Sequence, residues 1–132
     1  MLRFALLRHE CPADYRDGPH WDLMLERPGT DAERRLATWS LLTLPGAWGE
    51  PTTSVAGAIG ATQLPDHRAD YLDYEGPVSG NRGRVSRIAR GQVEWLETSD
   101  SLCRVRLSSE STITGTVTLE AMRETEWLLS VS

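Results

Sequence analysis

Three histidines, His9, His20 and His67, are the side chains of this sequence best suited to acid–base or metal chemistry. His20 and Asp22 form an H-x-D pair inside HWDLMLE. Read as a strand, that segment puts side chains two apart on one face. An imidazole and a carboxylate so placed reach one ion together. His9 closes the preceding apolar run, MLRFALLRHE, and the segment from Glu10 to Pro19 joins it to His20. If the two strands are antiparallel neighbours, His9 falls beside His20. Two imidazoles and one carboxylate leave coordination positions for water or substrate, as catalytic sites do and closed structural sites do not. An H-x-D pair is common by chance, so it needs independent support.

A second cluster supplies it. LPDHRADYLDYEG, from Leu64 to Gly76, carries His67, Tyr71 and the acids Asp66, Asp70, Asp73 and Glu75. His67 and Tyr71 are donors able to meet a phosphate oxygen. Asp70 and Asp73 read as loop caps or solvated surface. A different chemistry also fits part of the set. His20, Asp22 and His67 make a 2-His-1-carboxylate group suited to Fe(II), but that leaves Tyr71 and the DYEG segment without a role.

The elements that must hold these groups read at period two. Leu2, Phe4 and Leu6 alternate with Arg3, Ala5 and Leu7; Trp21, Leu23 and Leu25 oppose His20, Asp22, Met24 and Glu26. Further strands are expected from Arg84, Gln92, Leu102, Thr112 and Glu126. TDAERRLATWSLL reads as a turn through Asp31 to Arg34 followed by a strand. PGAWGEPTTSVAG and EGPVSGNRGR read as loops, with Gly80-Asn81 as turn formers. Many short strands predict an all-β sandwich or barrel with little helix. Trp21, Trp39, Trp95 and Trp127 are expected in the core. Trp48, in a loop, is the best candidate among the tryptophans for an exposed stacking surface, with packing the favoured role. Gly76, Gly80 and Gly83 are expected to serve turns.

At 132 residues the chain suits one domain, residues 1–132. The net charge of -5 argues against broad duplex binding, which needs many neutralised phosphates. It leaves room for an enzyme gripping one phosphate through a local cationic site. All basic residues are arginine, fourteen of them, a bias that base composition alone would produce. The N-terminal apolar run is too short for a signal peptide and reads as a first strand, which places the protein in the cytoplasm and off the membrane. Cys11 and Cys103 read as reduced thiols, since two cysteines make no disulfide framework.

Taken in order, these motifs resemble the 3′-phosphoesterase domain of bacterial DNA ligase D, which also occurs as stand-alone proteins. The matching pieces are RHE at Arg8–Glu10, HWDLMLE at His20–Glu26, LATWSLL from Leu36, DHRADYLDYEG from Asp66 to Gly76, and GNRGRVSRIARGQVEW from Gly80 to Trp95. They cover most of residues 3–96, and all three histidines fall on motif positions. The resemblance implies a compact, closed or partly closed β-barrel with a polar active site on one side. It implies a divalent metal held by His9, His20 and Asp22, manganese in most of the family; zinc, cobalt or iron suits the same ligands. His67 and Tyr71 would contact the scissile phosphate. The substrate would be a DNA or DNA/RNA primer 3′ end bearing a phosphate or a terminal ribonucleotide, in DNA end repair beside a separate ligase or polymerase.

The sequence departs from the family pattern in its basic residues. Met24 stands where D-x-R would put an arginine, Leu7 replaces a polar residue, and basic residues are lost near Thr43, Leu44 and Ile59. The loop from Glu10 to Pro19 is longer than usual. Arg8, Arg68, Arg82, Arg84 and Arg87, with Arg16 in the long loop, are the candidates to replace that phosphate clamp. Loss of the clamp also favours a second expectation, a non-catalytic member of the fold that binds metal or an anionic end.

Overall fold

The computed structural model describes residues 1–11, 18–48, 58–78 and 83–132. Among the described residues, alternating apolar and polar residues build nine strands: β1 (Arg3–Glu10), β2 (His20–Glu26), β3 (Arg34–Leu41), β4 (Ile59–Arg68), β5 (Gly76–Pro77), β6 (Arg84–Thr98), β7 (Leu102–Ser109), β8 (Gly115–Arg123) and β9 (Glu126–Val131). The only helical pieces among the described residues are two 3-10 turns, Gly46–Trp48 and Ala69–Leu72. Among the described residues, no helix is long and apolar enough to cross a membrane.

All pairings are antiparallel, in the order β1-β2-β3-β4-β9-β8-β7-β6-β5, and β1 also pairs with β6. Eight strands therefore close into a barrel, and β5 is a short addition on β6. The fold is the all-β barrel expected from the strand pattern. Closure removes the exposed sheet edges that would otherwise invite intermolecular pairing.

β6 is one long strand where sequence patterning gave two. Its first part pairs with β1 and its second with β7, and the transfer occurs near Gly91. A Cβ at Gly91 would lie 2.0 Å from the Ser108 carbonyl oxygen and 2.9 Å from Phe4 Cε1, so only glycine fits there. A register shift opposite Leu6/Leu7 turns the pattern over, placing Val85 on the outside and Ala89 and Val93 inside.

Two apolar clusters follow from this geometry. The barrel interior holds Phe4, Leu6, Leu23, Leu25, Trp39, Val105, Leu119, Trp127 and their neighbours. Trp39 and Trp127 meet edge to face at 5.5 Å. Trp21 and Trp95 pack partly buried against the same core. Trp48 is buried as well, 3% exposed, and its indole N–H donates to the Thr114 carbonyl at 3.2 Å. It is a structural residue and offers no stacking surface. A second cluster lies on the outer face: Ala5, Leu7, Met24, Leu36 and Val85, covered by Leu72 of the second 3-10 turn, with Tyr71 and Val78 against it. This covered patch is the floor on which the candidate site stands.

Candidate metal centre

β1 and β2 meet in a register that pairs Phe4 with Leu25 at one end and His9 with His20 at the other. His9 follows Ala5 and Leu7 on the outer face, and His20 and Asp22 precede Met24 on it. The imidazoles sit edge to face, ring centroids 4.9 Å apart. His9 Nδ1 lies 3.9 Å from Asp22 Oδ2, and His20 Nε2 lies 3.3 Å from Asp22 Oδ1. All three residues are buried, His20 and Asp22 at 2% and 3% exposure. The structure thus brings the three side chains singled out from the sequence into one buried corner, while the group whose ligand atoms all lie within 4.8 Å of one another comprises His9, Cys11 and His20 and leaves Asp22 outside it.

The hydrogen bonding makes this an unusual triad unless a cation joins it. His20 Nδ1 is 2.8 Å from the Gly18 carbonyl oxygen, which can only accept, so Nδ1 carries the proton. In the neutral ring, Nε2 then points a lone pair at a carboxylate oxygen. Asp22 Oδ1 is buried and accepts no hydrogen bond among the described residues. Two acceptors held this close in a buried place call for a proton or a metal ion between them. A backbone carbonyl fixing the far nitrogen of a ligating histidine is the usual support for a metal-bound imidazole.

Cys11 joins the cluster, which sequence reasoning missed. His9, Cys11 and His20 each offer a ligand atom, and these atoms all lie within 4.8 Å of one another, a group that could hold a metal ion. The signal was present: His9-x-Cys11 has the two-residue spacing that singled out His20-x-Asp22. Gly83 holds this corner in place. Its φ is +87°, and a Cβ there would lie 1.8 Å from the Glu10 carbonyl oxygen and 2.7 Å from Cys11 Cα. The start of β6 can approach the Glu10–Cys11 backbone only because residue 83 has no side chain. Cys11 and Cys103 form no disulfide.

No protein-family model matches this chain, and no curated protein matches it.

His67 and Tyr71 form a neighbouring group on the same outer face. Their rings are 5.9 Å apart, and Tyr71 stands 5.9 Å from Tyr74. His67 Nδ1 is 2.8 Å from the Pro65 carbonyl oxygen, so Nδ1 is the protonated nitrogen and Nε2 remains for substrate. Tyr71 lines a cavity of about 270 Å³ with Arg68, Asp70, Tyr74, Pro77 and Val78. His67 pairs with Leu36, which pairs with Glu26, four residues beyond Asp22 on β2. At strand spacing that is about 13 Å along the sheet. Met24, 1% exposed, fills the interval. The two halves of the expected site therefore share a face, with an apolar residue between them.

The arginines divide. Arg8 alternates with His9 to the other face, where it pairs with Glu10 at 2.8 Å and stacks on Trp21, 4.3 Å from the ring centroid. Arg84 pairs across to Glu10 and is exposed beside Val85, on the opposite face from it. Arg68 borders the Tyr71 cavity and holds Glu33 at 2.6 Å. Arg87 lies opposite Leu7, on the outer face. Glu75 receives its backbone N–H at 2.9 Å and lies 3.4 Å from Nη2, while Nη1 is buried without a hydrogen-bond partner among the described residues. Arg16, Gly80, Asn81 and Arg82 lie outside the described residues.

Proposed function

We propose that this protein is a metal-dependent phosphoesterase acting on nucleic-acid 3′ ends, removing a 3′-phosphate or a 3′-terminal ribonucleotide. The observation that carries the reading is the buried His9–His20–Asp22 constellation, with Asp22 Oδ1 3.3 Å from His20 Nε2 and without a hydrogen-bond partner among the described residues. The ordered resemblance to the ligase D phosphoesterase domain supplies the substrate class.

On this reading His9, His20 and Asp22 hold a divalent ion, manganese by the resemblance. When bound, such an ion stabilises negative charge on the non-bridging oxygens of a phosphoester and lowers the pKa of water. The chain's own residues do the rest. His67 presents Nε2 to the phosphate; protonated, it donates a hydrogen bond or a proton to the leaving oxygen. Tyr71 donates its hydroxyl to the same group. Arg87 and Arg68 supply the cationic contacts on this face, each giving up part of its pairing with Glu75 or Glu33. The cavity beside Tyr71 receives the terminal nucleoside, with Tyr71 and Tyr74 as aromatic walls.

The test is release of phosphate from a 3′-phosphorylated DNA oligonucleotide, with manganese, zinc and cobalt supplied in turn. Turnover that depends on the metal and falls on His67→Ala supports the reading. Absence of turnover with all three ions, in protein shown to bind them, contradicts it.

A second reading rests on Met24. A buried thioether interrupts the face where the resemblance expects an arginine, which favours a module that binds an anionic end without cleaving it. Met24→Arg discriminates: activity confined to that variant identifies the natural protein as the binding form. Equilibrium binding of the 3′-phosphorylated oligonucleotide to the unaltered protein answers the same question if the variant does not fold.

A further inference from the structure

We propose that Cys11 is a ligand of the same ion, and that its thiolate turns the site from a manganese centre into one that prefers zinc. The inference rests on the reading that the cluster holds a cation, and it concerns which one.

Three observations carry it. The ligand atoms of His9, Cys11 and His20 lie within 4.8 Å of one another, the separation that atoms sharing one ion require. Asp22 Oδ1, in a residue 3% exposed, is buried without a hydrogen-bond partner among the described residues and lies 3.3 Å from His20 Nε2. The position of Cys11 is built by the fold: the close approach of Gly83 leaves no room for a Cβ against Glu10 and Cys11. Cys11 therefore belongs to a convergent group of three potential ligands, with Asp22 against its two histidines, and is not an isolated thiol at a strand end.

The chemistry follows from softness and number. Manganese takes hard oxygen ligands and high coordination, whereas zinc accepts thiolate and imidazole in a tetrahedral shell. His9, His20 and Asp22 alone discriminate little between the two. Adding a sulfur, and raising the protein ligands to four, shifts the preference toward zinc and cobalt(II).

The whole chain should be loaded with cobalt(II) and its absorption recorded, then titrated with zinc and with manganese in competition. The expected result is a near-ultraviolet sulfur-to-cobalt charge-transfer band in the unaltered protein, absent in Cys11→Ser and retained in Cys103→Ala. Zinc affinity should fall about tenfold or more in Cys11→Ser, at least what loss of an outer-sphere partner costs, while manganese affinity changes little. Cobalt bound without a sulfur band, or an unchanged zinc-to-manganese preference in Cys11→Ser, overturns the assignment of Cys11 and leaves the His9–His20–Asp22 reading standing. No cobalt bound at all overturns both. The absorption of the unaltered protein decides the matter even if a variant misfolds.

Discussion

His20 and Asp22 stand two residues apart on β2, with Nε2 and Oδ1 3.3 Å from each other and no hydrogen bond to Oδ1 among the described residues. Their positions follow from strand alternation, and two buried acceptors this close call for a proton or a metal ion between them. That choice makes Asp22 the most informative residue to change.

Asp22→Asn should weaken divalent-metal binding by about tenfold or more, since a neutral amide is a poorer ligand than a carboxylate. In metal-free protein the same change should be neutral or stabilising by about 1 kcal/mol, because the amide can donate to His20 Nε2. Calorimetric titration with metal and urea unfolding without it check the two signs. Loss of stability in the metal-free variant would show that Asp22 serves the fold.

His67→Ala and Tyr71→Phe should leave metal binding intact and lower turnover, His67→Ala by about 10²- to 10⁴-fold, the range for a lost general acid or base. Both sit on β4 or the turn that follows it, outside the His9–Cys11–His20 group. Metal titration and 3′-phosphate release on each variant separate the two functions. Equal loss of both would mean that the groups are not independent.

Gly83→Ala should destabilise the fold by about 2 kcal/mol or more, combining a left-handed backbone with a 1.8 Å approach to the Glu10 carbonyl oxygen. It should also displace Cys11. The check is urea unfolding together with the cobalt spectrum; a strong sulfur band in a destabilised variant would uncouple the hairpin from the site.

Burial pushes the Cys103 thiol up from 9.0 to about 12. The folded state keeps the proton over a range in which the unfolded chain releases it. The contribution to stability is complete below pH 9 and is lost as pH rises toward about 12. Cys103→Ala should flatten that part of the stability profile, measured as unfolding free energy against pH. In native metal-free protein at pH 8, an alkylating reagent should modify half-buried Cys11 and spare Cys103.

Much of this arrangement was legible because period-two alternation is a strong signal where one face is buried. β1 and β2 fix which residues share a face with His20, and the antiparallel pairing of consecutive strands brings His9 opposite. β4 was not legible as a strand. Gly60 and Pro65 interrupt its pattern, and two register shifts against β3 spoil the alternation. The break between Ala89 and Gln92 divided β6 for the same reason: a bulge and a glycine reverse the pattern inside one strand. The fate of the arginines depended on partners far away in sequence. Glu33 for Arg68 and Glu75 for Arg87 come from other elements, which no local spacing reveals. Trp48 looked like a loop residue and is anchored by Thr114, sixty-six positions away.

Anomalous scattering from a crystal of the metal-loaded protein tests the central claim most directly. The account predicts one ion within about 2.0–2.3 Å of an imidazole nitrogen from His9, one from His20, and an Asp22 oxygen. An ion bound elsewhere, or none at that corner of β1 and β2 at saturating metal, would contradict it.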